Sequence, residues 1–453
     1  MAAEPKPDAD IRRRWRYLMI GVLAAALTGR VVAAFAVQKH VENSGRQFLV
    51  EGDANGYWEL GEKVAKGQPY QIHVPPRKVL RTPGFPIFLA ACMHMAGTDV
   101  IHARLCLAVV GTACCLLVWV LGAQLSMQRV GFWAAVIVAF NPLQIGSSVL
   151  ILSETLFTFL MLATLVCQFS LVQEFNRSTG KTETQTRLNL LLPAGCLGFL
   201  LAATTLVRPG FLLWVPVCCG TLVWLSSRSR PGGSDETAID NLRGRRIVAL
   251  CTTLLAFFVT MLPWVWRNAE VTGHVVFTSL WSGPSMYDGL SEEADGTSNM
   301  QFFDREQVMS RQKMTEYEMN EHYKQRAIEF AVENPGRAIE LAFLKAARYL
   351  APAPSMLEGM HGGIRAGCTA FYMVFAGLVV IGFARGDGNQ KLNLLELTVS
   401  LGPFLLFLLV HLVFVGSVRY RLPVEFPLAV LAGAGVRQLL TRNQSPPGMA
   451  ATE

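Results

Sequence analysis

Apolar runs of roughly twenty residues recur along this chain. An α-helix needs about that length to cross the ~30 Å hydrocarbon core of a bilayer. About ten such spans can be read, over residues 17–37, 101–125, 131–149, 153–173, 189–206, 209–225, 247–266, 366–384, 393–416 and 422–438. The runs are continuous rather than alternating, and backbone groups in lipid must be satisfied inside their own element, so the pattern favours helices over a barrel. Composition agrees: 52% of residues are hydrophobic and only 16% charged, against about a quarter charged in soluble domains. The expected fold class is therefore an all-α polytopic membrane protein. The ten cysteines lie mostly within apolar runs and show no zinc-ligand spacing, which makes them small buried hydrophobes.

Positive charge orients the spans. Arg12, Arg13, Arg14 and Arg16 precede the first run; placing them inside and alternating puts short basic loops on the same side. These loops hold Arg129, then Arg177, Lys181 and Arg187, then Arg228, Arg230, Arg243, Arg245 and Arg246, then Arg385 and Lys391, with Arg442 in the tail. The net charge of +7 is carried by such loops and gives no reason to expect a nucleic-acid partner. The start resembles a signal peptide with "AFA" (Ala34–Ala36) as a cleavage site, but the apolar run continues past Arg30, which favours an uncleaved anchor. "PGFPIFLAACMHMAG" (Pro83–Gly97) is short for a span, and is expected to be a helix partly sunk in the outer face or re-entrant. The resulting division is a cytoplasmic N-terminus (1–16), an N-terminal transmembrane module (17–266) with an outer loop (38–99), a long outer loop (267–365), C-terminal helices (366–438) and a cytoplasmic tail (439–453).

The same alternation brings Glu154, Arg208, Arg267, Arg419 and Arg421 to one outer level, from distant parts of the chain. Ionisable groups at membrane depth are costly and generally face a cavity or one another. Each has a plainer reading: Arg208 and Arg267 as snorkelling residues, Glu154 as a helix N-terminal acid, Arg419 and Arg421 as headgroup contacts. Their convergence is the argument for a polar site. In the first outer loop, Asp53, Tyr57, Leu60, Gly61 and Val64 recur at helical spacing, predicting a short amphipathic surface helix with Asp53 at its beginning, where an N-cap is the simplest role. Glu59, Glu62, Lys63 and Lys66 read as its solvated face. The proline-rich "VPPRKVLRTPGFP" that follows forms a stiff return path, carrying Arg77, Lys78 and Arg81 toward the membrane.

These motifs occur in a familiar order: "GDANGYWELGEKVAKGQPY", "RTPGFPIFLA", "NPLQIGSSVLILSETLF", "LVRPGFLLWVP", "PWVWRNAEVTGHVVFTSLWSGPSMYDG", "NPGRAIELAFLKAARYLAP" and "RYRLPVEFPLAVLAGAG". Together they resemble membrane glycosyltransferases of the GT-C fold, and most of all the bacterial relatives of the dolichyl-phosphate-mannose–protein mannosyltransferases and the lipid A aminoarabinose transferases. The resemblance implies a polyprenyl-phosphate-linked sugar donor, a protein, lipid or glycan acceptor, and catalysis on the extracytoplasmic face of a bacterial membrane. It implies Asp53 at the reaction centre and Arg81 near the donor phosphate, with Arg77 or Lys78 as substitutes. Arg208, Arg267 and Glu154 match recurring cavity positions, as Arg419 matches the basic residue before the last helix; Tyr57, Arg77 and Arg421 are further polar cavity candidates. Many relatives carry a second acid directly after the first, where this chain has Ala54. A divalent cation, Mg or Mn, is compatible with such chemistry, but no hard-oxygen cluster in the sequence demands one.

Displacement with inversion asks for a base on the acceptor hydroxyl and positive charge on the departing phosphate. Asp53, with a pKa raised at a low-dielectric interface, is the expected base, and arginines are the expected phosphate ligands. The outer loop from Asp304 to Leu350 reads as two helices broken at Asn334–Pro335. The second is amphipathic, with Ile339, Leu341, Phe343, Leu344 and Leu350 apolar and Lys345 and Arg348 basic; it is either a lid or a passive surface helix. A flippase would show repeated halves or broken paired helices, and no repeat is visible. A lipid-linked glycan ligase or polymerase is the enzymatic alternative.

Overall fold

The computed structural model describes residues 9–177, 183–224, 236–353, 362–385 and 393–442. The basic loop residues Lys181, Arg228, Arg230 and Lys391 lie outside the described residues, as does the tail from 443. Among the described residues the regular structure is helical, with one isolated antiparallel bridge between Ile72 and Arg77.

The first half runs α1 (Ala9–Asn43), α2 (Glu51–Ala65), α3 (Gly84–Ala96), α4 (Val100–Leu125), α5 (Gln128–Ala139), α6 (Pro142–Ser147), α7 (Glu154–Arg177), α8 (Glu183–Val207), α9 (Trp214–Trp224) and α10 (Glu236–Thr272). The stretch that follows holds α11 (Ser282–Gly289), α12 (Gln301–Glu306), α13 (Val308–Arg311), α14 (Glu316–Glu333) and α15 (Pro335–Leu350). The chain closes with α16 (Gly362–Arg385), α17 (Leu394–Ser400), α18 (Gly402–Val413), α19 (Val418–Arg421) and α20 (Glu425–Arg442).

Among the described residues, six helices are long and apolar enough to cross a membrane, within α1, α4, α7, α8, α10 and α16. The α17–α18 pair, bent by 53°, makes a seventh if it is one broken span. The difference from ten has local causes. The span expected at 131–149 is divided, because the Asn141 side chain accepts from the Leu143 and Gln144 amides and starts α6, with Pro142 in its first turn. The run after Arg208 is a short apolar helix, Pro209–Val223, broken from α8 at Arg208–Pro209. The last helix, α20, carries Glu425 and Arg437 and lies buried from Glu425 to Gly435 at the centre of the bundle, against α16, α5 and α4. At 13 residues α3 is about 20 Å long, short of a crossing.

Two expected loop features change. Instead of floating on the surface, α2 is clamped on α3: a Cβ on Gly61 would stand 2.9 Å from Leu89 Cβ, and Tyr57, Trp58 and Leu60 are buried. The Asn334–Pro335 break is present, and a Thr315–Glu318 capping box starts α14. On α15, Ile339, Phe343 and Leu350 are exposed, as an interfacial face requires. Lys345, expected on the surface, is fully buried instead; its Nζ donates to the carbonyls of Leu412 (3.0 Å) and Val413 (2.8 Å) at the end of α18.

The α16–α20 contact depends on absent side chains. A Cβ on Gly382 would lie 1.9 Å from the Leu431 carbonyl oxygen, whereas one on Gly377 of the same helix would meet nothing within 4 Å. Gly382→Val is therefore expected to cost about 1–3 kcal/mol through overpacking, and Gly377→Val to stay within about 0.5 kcal/mol of wild type. Thermal unfolding of the two variants in detergent checks this difference.

Candidate functional site

Asp53 lies in the first turn of α2, but not as a cap. The N-cap is Val50, which makes no side-chain capping bond. Both carboxylate oxygens accept from arginines: Oδ1 from Arg81 Nη2 at 2.5 Å and Oδ2 from Arg419 Nη1 at 2.7 Å. Burial alone would push the Asp53 carboxyl up, but Arg81 and Arg419 outweigh it and hold the group well below the usual carboxylate range. The raised pKa expected from the sequence is thus reversed, because the interface that desolvates the acid also delivers two guanidiniums to it.

Arg419 extends the array. Its Nε donates to Glu154 Oε1 in a short charge-assisted bond, and Arg208 Nη2 approaches the same oxygen at 3.5 Å. Glu154 opens α7 and is buried behind the arginines. Arg208 does not snorkel: its guanidinium lies over the rings of Tyr420 (5.1 Å) and Phe157 (5.7 Å). Tyr57 supports Arg81 from one turn along α2, its ring 4.6 Å from the guanidinium carbon and edge-on to Phe85. Arg81 Nε and Arg208 Nη1 are buried with no hydrogen-bond partner, donors in place for a further acceptor.

The remaining sequence candidates go elsewhere. Arg267 does not line the cavity. It donates to the carbonyls of Lys78 and Tyr70, both at 2.8 Å, and stacks near Tyr70 and Trp264, so it fixes the course of the segment between α2 and α3. Arg421 is buried against α20: Nε donates to Glu425 Oε1 at 2.6 Å, and Nη1 to the carbonyls of Tyr349 and Ala351, both at 2.8 Å. Arg77 lines the cavity between the rings of Phe303 and Trp281.

A cavity of about 810 Å³ opens over this array. Asp53, Arg81, Arg208 and Arg419 stand on one part of its wall, beside apolar Val207, Phe407, Val410, Phe414 and Val415. The segment after α10 contributes Ser279, Trp281, Ser285, Asp288, Phe303 and Asp304. The sequence places "SLWSGPSMYDG" over the cavity mouth as irregular backbone and singles out none of these side chains; part of it is instead the helix α11. Sequence reading also missed Glu316, whose carboxylate accepts from the Lys78 amide (2.7 Å) and the Val79 amide (3.0 Å), tying α14 to the strand of chain that presents Arg77 and Arg81.

A divalent cation does not fit this site. Both Asp53 oxygens are held by cations, and no group of three or more His, Cys, Asp or Glu able to hold a metal occurs among the described residues.

No protein-family model and no curated protein sequence matches the chain. Solved structures do. The archaeal oligosaccharyltransferase AglB from Archaeoglobus fulgidus, in complex with an inhibitory peptide and a dolichol-phosphate, aligns with a TM-score of 0.55 at 10% identity, over 97% of this chain and 53% of that one. This chain has the GT-C fold. The apo form of the Archaeoglobus fulgidus oligosaccharyltransferase aligns at a TM-score of 0.49 and 12% identity, covering 94% of this chain and 51% of that chain. The chain thus spans about half the length of the GT-C proteins it resembles.

The Asp53 pairing has a pH signature. A carboxylate whose folded pKa is depressed contributes stability that is present above its unfolded pKa, about 3.9, and is lost only as pH falls through the folded value. The stability difference between wild type and Asp53→Asn is therefore expected to be constant from pH 5 to 8 in thermal unfolding. A raised Asp53 pKa would instead make wild type gain stability relative to the variant as pH drops through 6. Arg421→Gln, which strands a buried Glu425, is expected to cost about 3–5 kcal/mol in the same measurement.

Proposed function

We propose that the protein is a membrane glycosyltransferase that takes a sugar from a polyprenyl-phosphate donor and passes it to an acceptor hydroxyl on the extracytoplasmic face. The observation that carries this is the array itself: three guanidiniums share two carboxylates at the wall of a large cavity, beside an apolar surface suited to a prenyl chain. The fold supports the reading, since the archaeal oligosaccharyltransferase that shares it was captured with a dolichol-phosphate.

In this scheme the donor phosphate docks on Arg81, Arg419 and Arg208, whose planar forks suit phosphate oxygens. It competes with Asp53 for the same N–H groups. As the arginines turn to the phosphate, Asp53 loses the charges that depress its pKa, and its basicity rises where an acceptor arrives. The acceptor oxygen then attacks the anomeric carbon, its proton passes to Asp53, and the bond from that carbon to the phosphate oxygen breaks. The electron pair leaves on the lipid phosphate, whose added charge the arginines stabilise. One displacement at one carbon inverts its configuration. Glu154 keeps Arg419 oriented, and Arg267 keeps Arg81 in reach by fixing the loop behind it.

Transfer from a panel of radiolabelled polyprenyl-phosphate sugars to membrane acceptors tests this. Loss of a general base slows such steps by roughly 10²–10⁴-fold, so Asp53→Asn is expected to lower kcat by at least about 100-fold with one donor, in protein that still unfolds cooperatively. Equal transfer by wild type and variant would remove Asp53 from the chemistry.

A further inference from the structure

Arg77 differs from the other cavity arginines. Arg81, Arg208 and Arg419 are all engaged with Asp53 or Glu154. The Arg77 side chain has no hydrogen bond or ion pair among the described residues, yet it is firmly placed. Its guanidinium carbon lies 4.3 Å from the Phe303 ring centre and 5.2 Å from that of Trp281, and the two rings are 5.2 Å apart. Its backbone is held by reciprocal bonds with Ile72, at 2.8 and 3.1 Å, and the next two amides by Glu316. Aromatic faces hold a guanidinium without occupying its N–H edges, so all five donors stay available.

The nearby acids do not neutralise it. Glu316 is committed to the Lys78 and Val79 amides. Asp288 accepts from Ser298 Oγ and the Asn299 amide, both at 2.7 Å. Asp304 lines the same cavity and acts on Arg77 through space, without a bond. Ser279 and Ser285 line the same cavity. A pre-positioned guanidinium with vacant donors, set among hydroxyls and aromatic surfaces, has the composition of a site for a polyhydroxylated ring bearing an oxyanion. At about 810 Å³ the cavity is in the upper part of the ~300–1,000 Å³ range of small-molecule pockets, with room for more than a phosphate.

We infer that Arg77, with the Ser279 and Ser285 hydroxyls, forms a second anion site in the cavity, separate from the Asp53 arginine array, that selects a substrate saccharide unit carrying a carboxylate or a phosphate. This deepens the glycosyltransferase reading by naming a substrate class, but its test does not depend on turnover. The full chain in detergent is saturated with polyprenyl phosphate, so that the donor arginines are covered, and titrated calorimetrically with D-glucuronate, D-glucose 6-phosphate and D-glucose. Wild type is expected to bind one or both acidic sugars and to bind glucose at least about tenfold more weakly, the scale of one charge-assisted contact. Stronger glucuronate binding identifies a carboxylate, and stronger glucose 6-phosphate binding a phosphate. Arg77→Gln is expected to abolish the preference over glucose, Arg77→Lys to retain part of it, and Lys324→Gln, at an exposed surface ion pair outside the cavity wall, to leave it intact. Equal binding of all three sugars, displacement of the acidic sugars by polyprenyl phosphate, or equal losses in Arg77→Gln and Lys324→Gln would each overturn the inference. Failure of polyprenyl phosphate itself to bind would instead count against the donor reading.

Discussion

Two carboxylates, Asp53 and Glu154, share three guanidiniums, those of Arg81, Arg208 and Arg419, and one end of the bundle is organised around that sharing. Each charge would be expensive to bury alone. Together they compensate one another, and the desolvation that burial imposes is offset only where the geometry is close. The array is one positive charge in excess. It is therefore stable enough to exist empty and still disposed to accept an anion, and two buried N–H groups on Arg81 and Arg208 stand without partners.

The five residues come from four separate parts of the chain, so their meeting depends on how the loops are held. The return path from Tyr70 to Arg81 makes almost no regular structure. It is fixed from outside by Arg267 on its carbonyls and by Glu316 on its amides. Arg419 is set by the short helix after α18, whose last carbonyls are capped by buried Lys345 of α15. The α14–α15 pair is thus tied to the site at both ends: α14 positions Arg77 and Arg81, and α15 steadies the segment before Arg419. A change in α15 would be felt at Asp53 through these bonds, without any contact to a substrate.

Much of this was legible in the sequence, for identifiable reasons. Apolar runs near bilayer length report helices directly, and Glu154, Arg208 and Arg419, grouped in the sequence by their places at the ends of such runs, do meet at one site. The break at Asn334–Pro335 is written in local chemistry. What escaped reading is long-range pairing. Nothing near Asp53 announces two arginines, one of them 366 positions away, so its pKa was expected to move the wrong way. Arg267 and Arg421 sit in motifs as conspicuous as that of Arg419, yet bind backbone carbonyls or Glu425 rather than the cavity. Lys345 matched an amphipathic pattern but is buried, since a helix face facing protein and one facing lipid look alike in sequence. Span number also exceeded what length supports, because Asn141 and Pro209 cut two runs into shorter helices.

The most direct test of the account is a structure of the protein with a non-hydrolysable polyprenyl-phosphonate sugar. If the array is the donor site and a switch for Asp53, the phosphonate oxygens will accept hydrogen bonds from Arg81 and Arg419, and Asp53 will have lost at least one of its two arginine pairs. A phosphonate bound away from these arginines, with both Asp53 pairs intact, would contradict it.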